Sequence, residues 1–123
     1  MPFKTSLNIA AIKGTNQYRL TKNLIYIDKV YGEIKVPIRF KTDFASVPRF
    51  LHGVIDDNAS YIREAAVVHD YLYSTGQLDR VSCDLVLERA MKELKASWFK
   101  RKLVYFTVRL FGSSHFKQKR GLK

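Results

Sequence analysis

The chain is poor in cysteine, in acidic residues and in long apolar runs. Cys83 is its single cysteine, which excludes an intrachain disulfide and a cysteine-based metal site. No apolar run approaches the roughly 20 residues that a membrane-spanning helix requires. Residues 1–6 lack the apolar core of a signal peptide, so we expect the cytoplasm as the compartment.

The shortage of acidic residues leaves a strongly basic chain, with 22 Lys and Arg against 11 Asp and Glu and a net charge of +11. Such an excess draws a protein towards nucleic acid, an anionic membrane surface or an acidic partner. Charge alone does not choose among these three. A chain of 123 residues is large enough for one hydrophobic core, so we expect a single domain over residues 1–123.

The hydrophobic pattern changes its period once along the chain. Residues 1–40 alternate every second residue in short stretches between polar turns, which predicts a small antiparallel sheet. Residues 59–112 show helical periodicity and predict three helices. Residues 41–58 form a loop between the two parts, and residues 113–123 form a polar, basic tail. The predicted fold class is therefore α+β, a sheet followed by helices.

Local signals place the ends of these elements. We predict strands at four stretches: Leu7–Ala10, Tyr18–Leu20, Leu24–Ile27 and Ile34–Phe40, with Pro37 at a sheet edge or at a bulge. Gly76 suits the position just past the first helix, and Asp79 or Ser82 can cap the second. The third helix should run from about Ser97 to Phe111. The second helix should bury one apolar stripe: Val81, Leu85, Val86, Ala90, Met91 and Leu94.

One histidine and one aspartate stand out in the helical part. His69 follows the apolar run 65–68, where a buried ionisable side chain needs a partner. If the first two helices are antiparallel, Asp84 and His69 are about equally distant along the chain from the turn at Gly76 and therefore lie opposite each other. We therefore predict a hydrogen bond between His69 and Asp84, either as a base with its orienting carboxylate or as a contact that only pairs the helices. Tyr73, four residues after His69, shares its helix face.

The loop before the first helix mixes apolar residues with Asp43, Ser46 and Arg49. We expect it to fold back and to bring Asp43 or Ser46 close to His69 or Asp70, because so apolar a segment does not stay in solvent. The alternative is a structural turn, in which Asp43 and Ser46 bind backbone amides and Arg49 pairs with a carboxylate.

Two kinds of chemistry are compatible with these residues. A neutral His69 held by Asp84 can activate water as a general base, while Asp70 or Asp43 holds a divalent cation. Their spacing matches no specific metal-ligand motif. A triad of Ser46, His69 and Asp84 ranks lower, because no Gly-x-Ser-x-Gly turn surrounds Ser46.

Two long motifs of this chain resemble a known family. They are TDFASVPR over residues 42–49 and AAVVHDYLY over residues 65–73, followed by Arg80-x-x-x-Asp84. Over residues 18–112 the chain resembles the phage and prophage family called domain of unknown function 1353. The resemblance implies a bacteriophage or prophage origin and no particular activity. It also implies that the following residues belong to one site: Asp43, Ser46, Arg49, His69, Asp70, Tyr73 and Asp84.

The sequence His69-Asp70-x-x-Tyr73, with an aspartate on an antiparallel helix, is also similar to the active-site helix pair of secreted phospholipases. In those enzymes the histidine activates water, the adjacent aspartate binds calcium, and the tyrosine and the distant aspartate orient the histidine. The resemblance implies His69 as the base, Asp70 as a calcium ligand, and Tyr73 and Asp84 as supports. The chain departs from the phospholipases because it lacks a Gly-rich calcium loop and a disulfide framework.

These observations lead to three candidate functions. We expect foremost a bacteriophage virion component, a small basic subunit docked on tail or capsid proteins, with an architectural His/Asp cluster. The alternative is a phage-encoded hydrolase at the cell envelope, whose basic, aromatic third helix lies on an anionic membrane surface. Nucleic-acid binding ranks third, because no recognition motif is present. The expected location is the virion or the host cytoplasm. The candidate partner contacts are these: Arg49, Lys100, Arg101, Lys102, Arg109, Lys119 and Arg120.

Overall fold

Strands and helices occupy separate parts of the chain. This confirms the predicted α+β class, with antiparallel strands before three helices. The computed structural model describes residues 2–43 and 60–116. The predicted contact between the loop after Asp43 and the first helix therefore lies outside the described residues.

The chain divides into two compact units. Residues Met1–Asp43 form the strand unit, and residues Phe44–Lys123 form the helical unit. The boundary lies close to the position where the alternating pattern of the sequence gives way to the helical one. The single domain over residues 1–123 stays a prediction.

The strand unit contains two small antiparallel sheets where the sequence predicted one. Its strands are β1 (Ile9–Ala11), β2 (Tyr18–Leu20), β3 (Leu24–Asp28), β4 (Gly32–Val36) and β5 (Lys41–Thr42). β2 lies between β1 and β5, while β3 pairs with β4. In the β3–β4 hairpin, Tyr26 lies opposite Ile34 and Leu24 opposite Val36, and all four side chains are buried. The period-two pattern predicts this alternation of buried and exposed positions.

The predicted strand Ile34–Phe40 is too long, because β4 ends at Val36. Pro37 follows directly and has no N–H with which to continue a ladder. The chain then turns: the Phe40 amide donates to the Pro37 carbonyl at 3.1 Å, and Arg39 has a φ of 78°. This turn separates β4 from β5 and accounts for the second sheet.

A buried carboxylate shapes the turn of the β3–β4 hairpin. Oδ2 of Asp28 accepts from the amides of Val30 and Tyr31 at 3.0 and 3.1 Å. Oδ1 of Asp28 accepts from the hydroxyl of Tyr26 at 3.0 Å. Asp28 therefore satisfies the donors of its own turn, a common use of aspartate at the end of a strand.

The described residues of the helical unit, 60–116, contain α1 (Ser60–Thr75), α2 (Arg80–Glu93), α3 (Trp98–Phe111) and a 3₁₀ turn (Gly112–His115). Gly76 ends α1 as predicted, with a φ of 66° and an amide that donates to the Leu72 carbonyl at 3.0 Å. Asp79 is the N-cap of α2, although its side chain makes no capping hydrogen bond. Ser97 caps α3 by accepting from the amide of Lys100. Among residues 2–43 and 60–116, no helix is both long and apolar enough to cross a membrane.

The buried face of α2 differs from the predicted stripe. It consists of Cys83, Asp84, Val86, Leu87, Ala90 and Met91. Val81 and Leu85 are instead 39% and 38% exposed, so their assignment to the core was wrong. With Asp84 turned inwards, Leu87 three residues on is buried beside it, whereas Leu85, the next residue, is turned by about 100° away from Asp84.

Candidate functional site

Asp84 is the centre of a buried polar cluster in the helical unit. Asp84 and His69 have no exposed surface, and Tyr73 is 1% exposed. His69 Nε2 lies 2.6 Å from Asp84 Oδ1, and the Tyr73 hydroxyl donates to the same oxygen at 2.6 Å. The predicted contact between His69 and Asp84 is therefore confirmed.

The short link between α1 and α2 explains this contact. The two helices pack against each other, and positions 69 and 84 are equally distant from the turn after Gly76. His69 and Tyr73 are one helical turn apart on α1, so their rings are neighbours, with centroids 4.2 Å apart. Both side chains therefore reach one carboxylate on α2.

Arg109 on α3 completes the cluster. Its Nη1 atom donates to Asp84 Oδ2 at 2.8 Å, and its side chain is 31% exposed. Arg80 on α2 donates to the carbonyls of Val108 and Arg109 at 3.1 and 3.0 Å, which holds the carboxyl end of α3 in place. The Asp84 cluster, defined as His69, Tyr73, Asp84 and Arg109, thus joins all three helices.

Gly112 lets the end of α3 approach Tyr73 closely. A Cβ atom on Gly112 would lie 2.8 Å from the Tyr73 hydroxyl and 3.2 Å from Arg80 Nη1. On the same tyrosine, the ring of Phe116 packs edge-on with centroids 5.3 Å apart. These neighbours confine the Tyr73 ring while its hydroxyl donates to Asp84.

Burial and hydrogen bonds shift the pKa values of Asp84 and Tyr73. Burial raises the pKa of Asp84, but hydrogen bonds from His69, Tyr73 and Arg109 outweigh it, so that the pKa lies below its ordinary value. Burial, together with the Asp84 carboxylate, raises the pKa of Tyr73 well above its usual range. An ionised carboxylate can only accept hydrogen bonds, so His69 Nε2 carries the proton that is donated to Asp84.

Cys83 lies beside Asp84 in sequence and is fully buried. Burial and the negative charge of Asp84 raise the pKa of the Cys83 thiol to about 12. A thiol in that state is a poor nucleophile, because the thiolate is the reactive form. Cys83 is therefore a packed side chain.

Four further residues were predicted for the site: Asp43, Ser46, Arg49 and Asp70. Asp70 is on α1, and Asp43 belongs to the strand unit. Ser46 and Arg49 lie outside the described residues. In the described parts of the chain, no group of three or more His, Cys, Asp or Glu side chains could hold a metal ion.

The residues that were predicted to contact a partner make different contacts within the structure. Arg109 binds the buried Asp84 carboxylate. Arg101 and Lys102 reach Glu88 on α2, at 3.1 and 3.4 Å, and hold its pKa below the ordinary value in spite of partial burial. Two more of these cations lie outside the described residues: Lys119 and Arg120.

Sequence reasoning missed three members of this region. Arg80 stands four residues before Asp84, and this spacing on one helix face was a signal that could have linked them. Arg109 was predicted as a partner contact, and Gly112 was given no role. Their positions depend on how α3 packs against α2, which no local pattern specifies.

The fold and the cluster define an α+β protein in which three helices share one buried aspartate. Residues 18–108 match the family described as "Protein of unknown function (DUF1353)". The chain belongs to this family, as its two long motifs predicted. No curated protein and no solved structure matches the chain.

Proposed function

We propose that this chain is a phage-encoded hydrolase that acts on ester lipids of the cell envelope. The observation that carries the proposal is the shared acceptor, because His69 Nε2 and the Tyr73 hydroxyl both donate to Oδ1 of Asp84. Secreted phospholipases are similar in this respect, since a tyrosine and a distant aspartate orient their catalytic histidine. The phage origin rests on the family resemblance of the two motifs.

The proton positions support His69 as a general base. Because Nε2–H is donated to Asp84, we assign to Nδ1, the other nitrogen of the ring, the proton that is taken from water. The resulting hydroxide attacks the carbonyl carbon of the ester, and Asp84 stabilises the imidazolium that forms. The imidazolium then gives its proton to the leaving alcohol as the ester bond breaks. Tyr73 and Arg109 act as positioning residues, because they hold the carboxylate that holds the ring.

Substitution of His69 by glutamine tests its role as a base separately from its role as a hydrogen-bond donor. The side-chain amide of Gln can donate to Asp84 in place of Nε2, but it has no basic lone pair. For His69→Gln we expect a melting temperature close to that of the wild type and an activity lower by about 10²–10⁴-fold. Activity is measured as fatty-acid release from phospholipid vesicles, with and without added calcium.

Asp79→Asn provides the control, since Asp79 is exposed and its side chain makes no capping hydrogen bond. This variant should keep full activity. A wild-type protein that releases no fatty acid from zwitterionic or anionic phospholipids contradicts the proposal. So does a His69→Gln variant as active as the wild type.

A second candidate is the virion component with an architectural cluster. It is favoured by the complete burial of His69 and Asp84 at the point where three helices meet. In that case His69→Gln should support every phage function, whereas His69→Ala should cost about 1–3 kcal/mol of stability, because it removes a donor from a buried carboxylate. A mass spectrum of purified virions measures whether the protein is present beside tail and capsid proteins.

A further inference from the structure

The outer face of α3 consists of four apolar residues: Phe99, Leu103, Phe106 and Leu110. They are 68%, 37%, 60% and 75% exposed. Spacings of four, three and four residues place them in one stripe along about three helical turns. Val104 and Val108 on the same helix are fully buried. α3 therefore has two apolar faces, one in the core and one at the surface.

The charges of α3 have one sign. The helix carries four cationic side chains and no acidic one: Lys100, Arg101, Lys102 and Arg109. Because successive residues of a helix are turned by about 100°, Lys100 and Lys102 lie on opposite sides of the outer face. An apolar stripe with cations on both sides is typical of a helix that lies in the plane of a membrane interface.

We propose that the outer face of α3 docks on an anionic lipid surface. Its apolar side chains would enter the boundary between headgroups and acyl chains, and Lys100 would lie among the headgroup phosphates. Lys102, which lies 3.4 Å from Glu88, would exchange that partner for a phosphate. The net charge of +11 adds a long-range attraction to such a surface. This docking goes beyond the proposed hydrolysis and does not depend on it.

Two other kinds of partner fit the outer face less well. Nucleic acid would bind the cations and could stack on Phe99 or Phe106, but it has no use for Leu103 and Leu110. A protein partner would bury the stripe, yet lysine is depleted in protein interfaces, whereas here two lysines border the stripe. The combination of leucine, phenylalanine and lysine therefore favours lipid.

The protein carries its own probe of this docking. Trp98 is the only tryptophan of the chain, is 64% exposed and begins α3. Vesicles of phosphatidylglycerol should shift its fluorescence to shorter wavelength and should sediment with the full-length protein. Vesicles of phosphatidylcholine should do neither at the same lipid concentration, and added salt should weaken the binding to phosphatidylglycerol.

Serine substitutions test the apolar part. The double variant Phe106→Ser with Leu110→Ser should keep the helical circular dichroism of the wild type, because both residues are exposed. Its affinity for phosphatidylglycerol vesicles should fall by on the order of tenfold or more, because two apolar side chains no longer enter the bilayer. The matched control is Val30→Ser with Ile38→Ser, two exposed apolar residues of the strand unit, which should keep the affinity.

Glutamine substitutions test the charges. Lys100→Gln with Lys102→Gln should lower the affinity for phosphatidylglycerol vesicles by on the order of tenfold and reduce its salt dependence. Lys92→Gln with Lys95→Gln, at the end of α2 and just beyond it, removes the same charge elsewhere and should have a smaller effect.

Several outcomes would overturn the docking proposal. Equal affinity for neutral and anionic vesicles would mean that the lysines do not contribute to binding. Unchanged binding of the double serine variant would mean that the outer face does not contact the lipid. If the wild type forms dimers that the double serine variant dissolves, and Trp98 does not respond to vesicles, a second copy of the chain covers the face. Retention of the wild type, but not of this variant, by a purified virion protein would assign the face to a protein partner.

Discussion

Asp28 and Asp84 are both buried aspartates that accept a hydrogen bond from a tyrosine, yet the two units use them differently. Asp28 accepts from Tyr26 and from two backbone amides, all within three residues along the chain. Asp84 accepts from side chains on two other helices, including His69 and Arg109. The first carboxylate closes a local turn, and the second joins three helices and orients an imidazole. Burial is common to both aspartates and therefore does not identify a candidate site. The distance of the donors along the chain, and whether they are side chains or backbone amides, distinguishes Asp84 from Asp28.

The largest expected effect comes from removal of the second carboxylate. Asp84→Ala should lower the free energy of unfolding by about 3 kcal/mol or more, because His69, Tyr73 and the Arg109 guanidinium lose their common acceptor. Thermal and urea unfolding, followed by the helical circular dichroism signal, measure the change. A loss below about 1 kcal/mol would mean that the cluster adds little to the packing of the helices.

The comparison variant is Asp28→Ala, which removes a buried carboxylate from the strand unit. If the units unfold independently, the helical transition of this variant stays where it is in the wild type. A shift of that transition would instead support the single domain over residues 1–123, since the two units would then unfold together.

Acid titration should show the next effect. The pKa of Asp84 is lower in the folded protein than the unfolded value of about 3.9. Its ionisation therefore stabilises the fold above about pH 4, and this stability is lost as the pH falls through the folded pKa. The wild type should lose stability below pH 4 more steeply than Asp84→Ala does. Parallel curves for the two proteins would contradict this, because Glu88, whose pKa is also lowered, is present in both.

A smaller effect is expected at Gly112, whose φ of −83° allows any residue. Gly112→Ala should cost about 1–3 kcal/mol, because the new Cβ atom would lie 2.8 Å from the Tyr73 hydroxyl. The cost should be lower in a Tyr73→Phe background, where that oxygen is absent. A double-mutant cycle from unfolding curves measures the difference. Equal costs in both backgrounds would mean that the contact between the new Cβ atom and the Tyr73 hydroxyl does not cause the loss of stability.

The sequence predicted the parts of the Asp84 cluster that depend on local geometry. His69 and Tyr73 are one turn apart, and the short link after Gly76 brings Asp84 opposite them, so spacing alone sufficed. Arg109 could not be assigned in the same way, because its contact depends on the packing of α3 against α2. An arginine beside exposed apolar residues has the same local pattern whether it binds a partner or a buried carboxylate.

The strand unit shows the opposite error. The alternation from Ile34 to Phe40 continues through Pro37, so the pattern predicted one long strand, and the missing N–H of proline ended it at Val36. Asp28 was not singled out, because an aspartate before a turn is common whether it is buried or exposed. Periodicity thus predicted the fold class, but not the point at which one sheet became two.

The two tyrosine hydroxyls provide the smallest effect and the most closely matched test. Tyr73→Phe and Tyr26→Phe each remove one donor from a buried aspartate and keep the ring. We expect about 1.5 kcal/mol for Tyr73→Phe and about 0.5–1 kcal/mol for Tyr26→Phe, because the two backbone amides near Asp28 cannot move away from their acceptor. Unfolding curves measure both values. Tyr73→Phe should also lower any hydrolytic activity, because Asp84 then holds His69 less firmly, whereas Tyr26→Phe should leave activity unchanged. Equal effects of the two substitutions on stability and activity would mean that long-range donors hold a carboxylate no differently from local ones, and the distinction between Asp28 and Asp84 would fail.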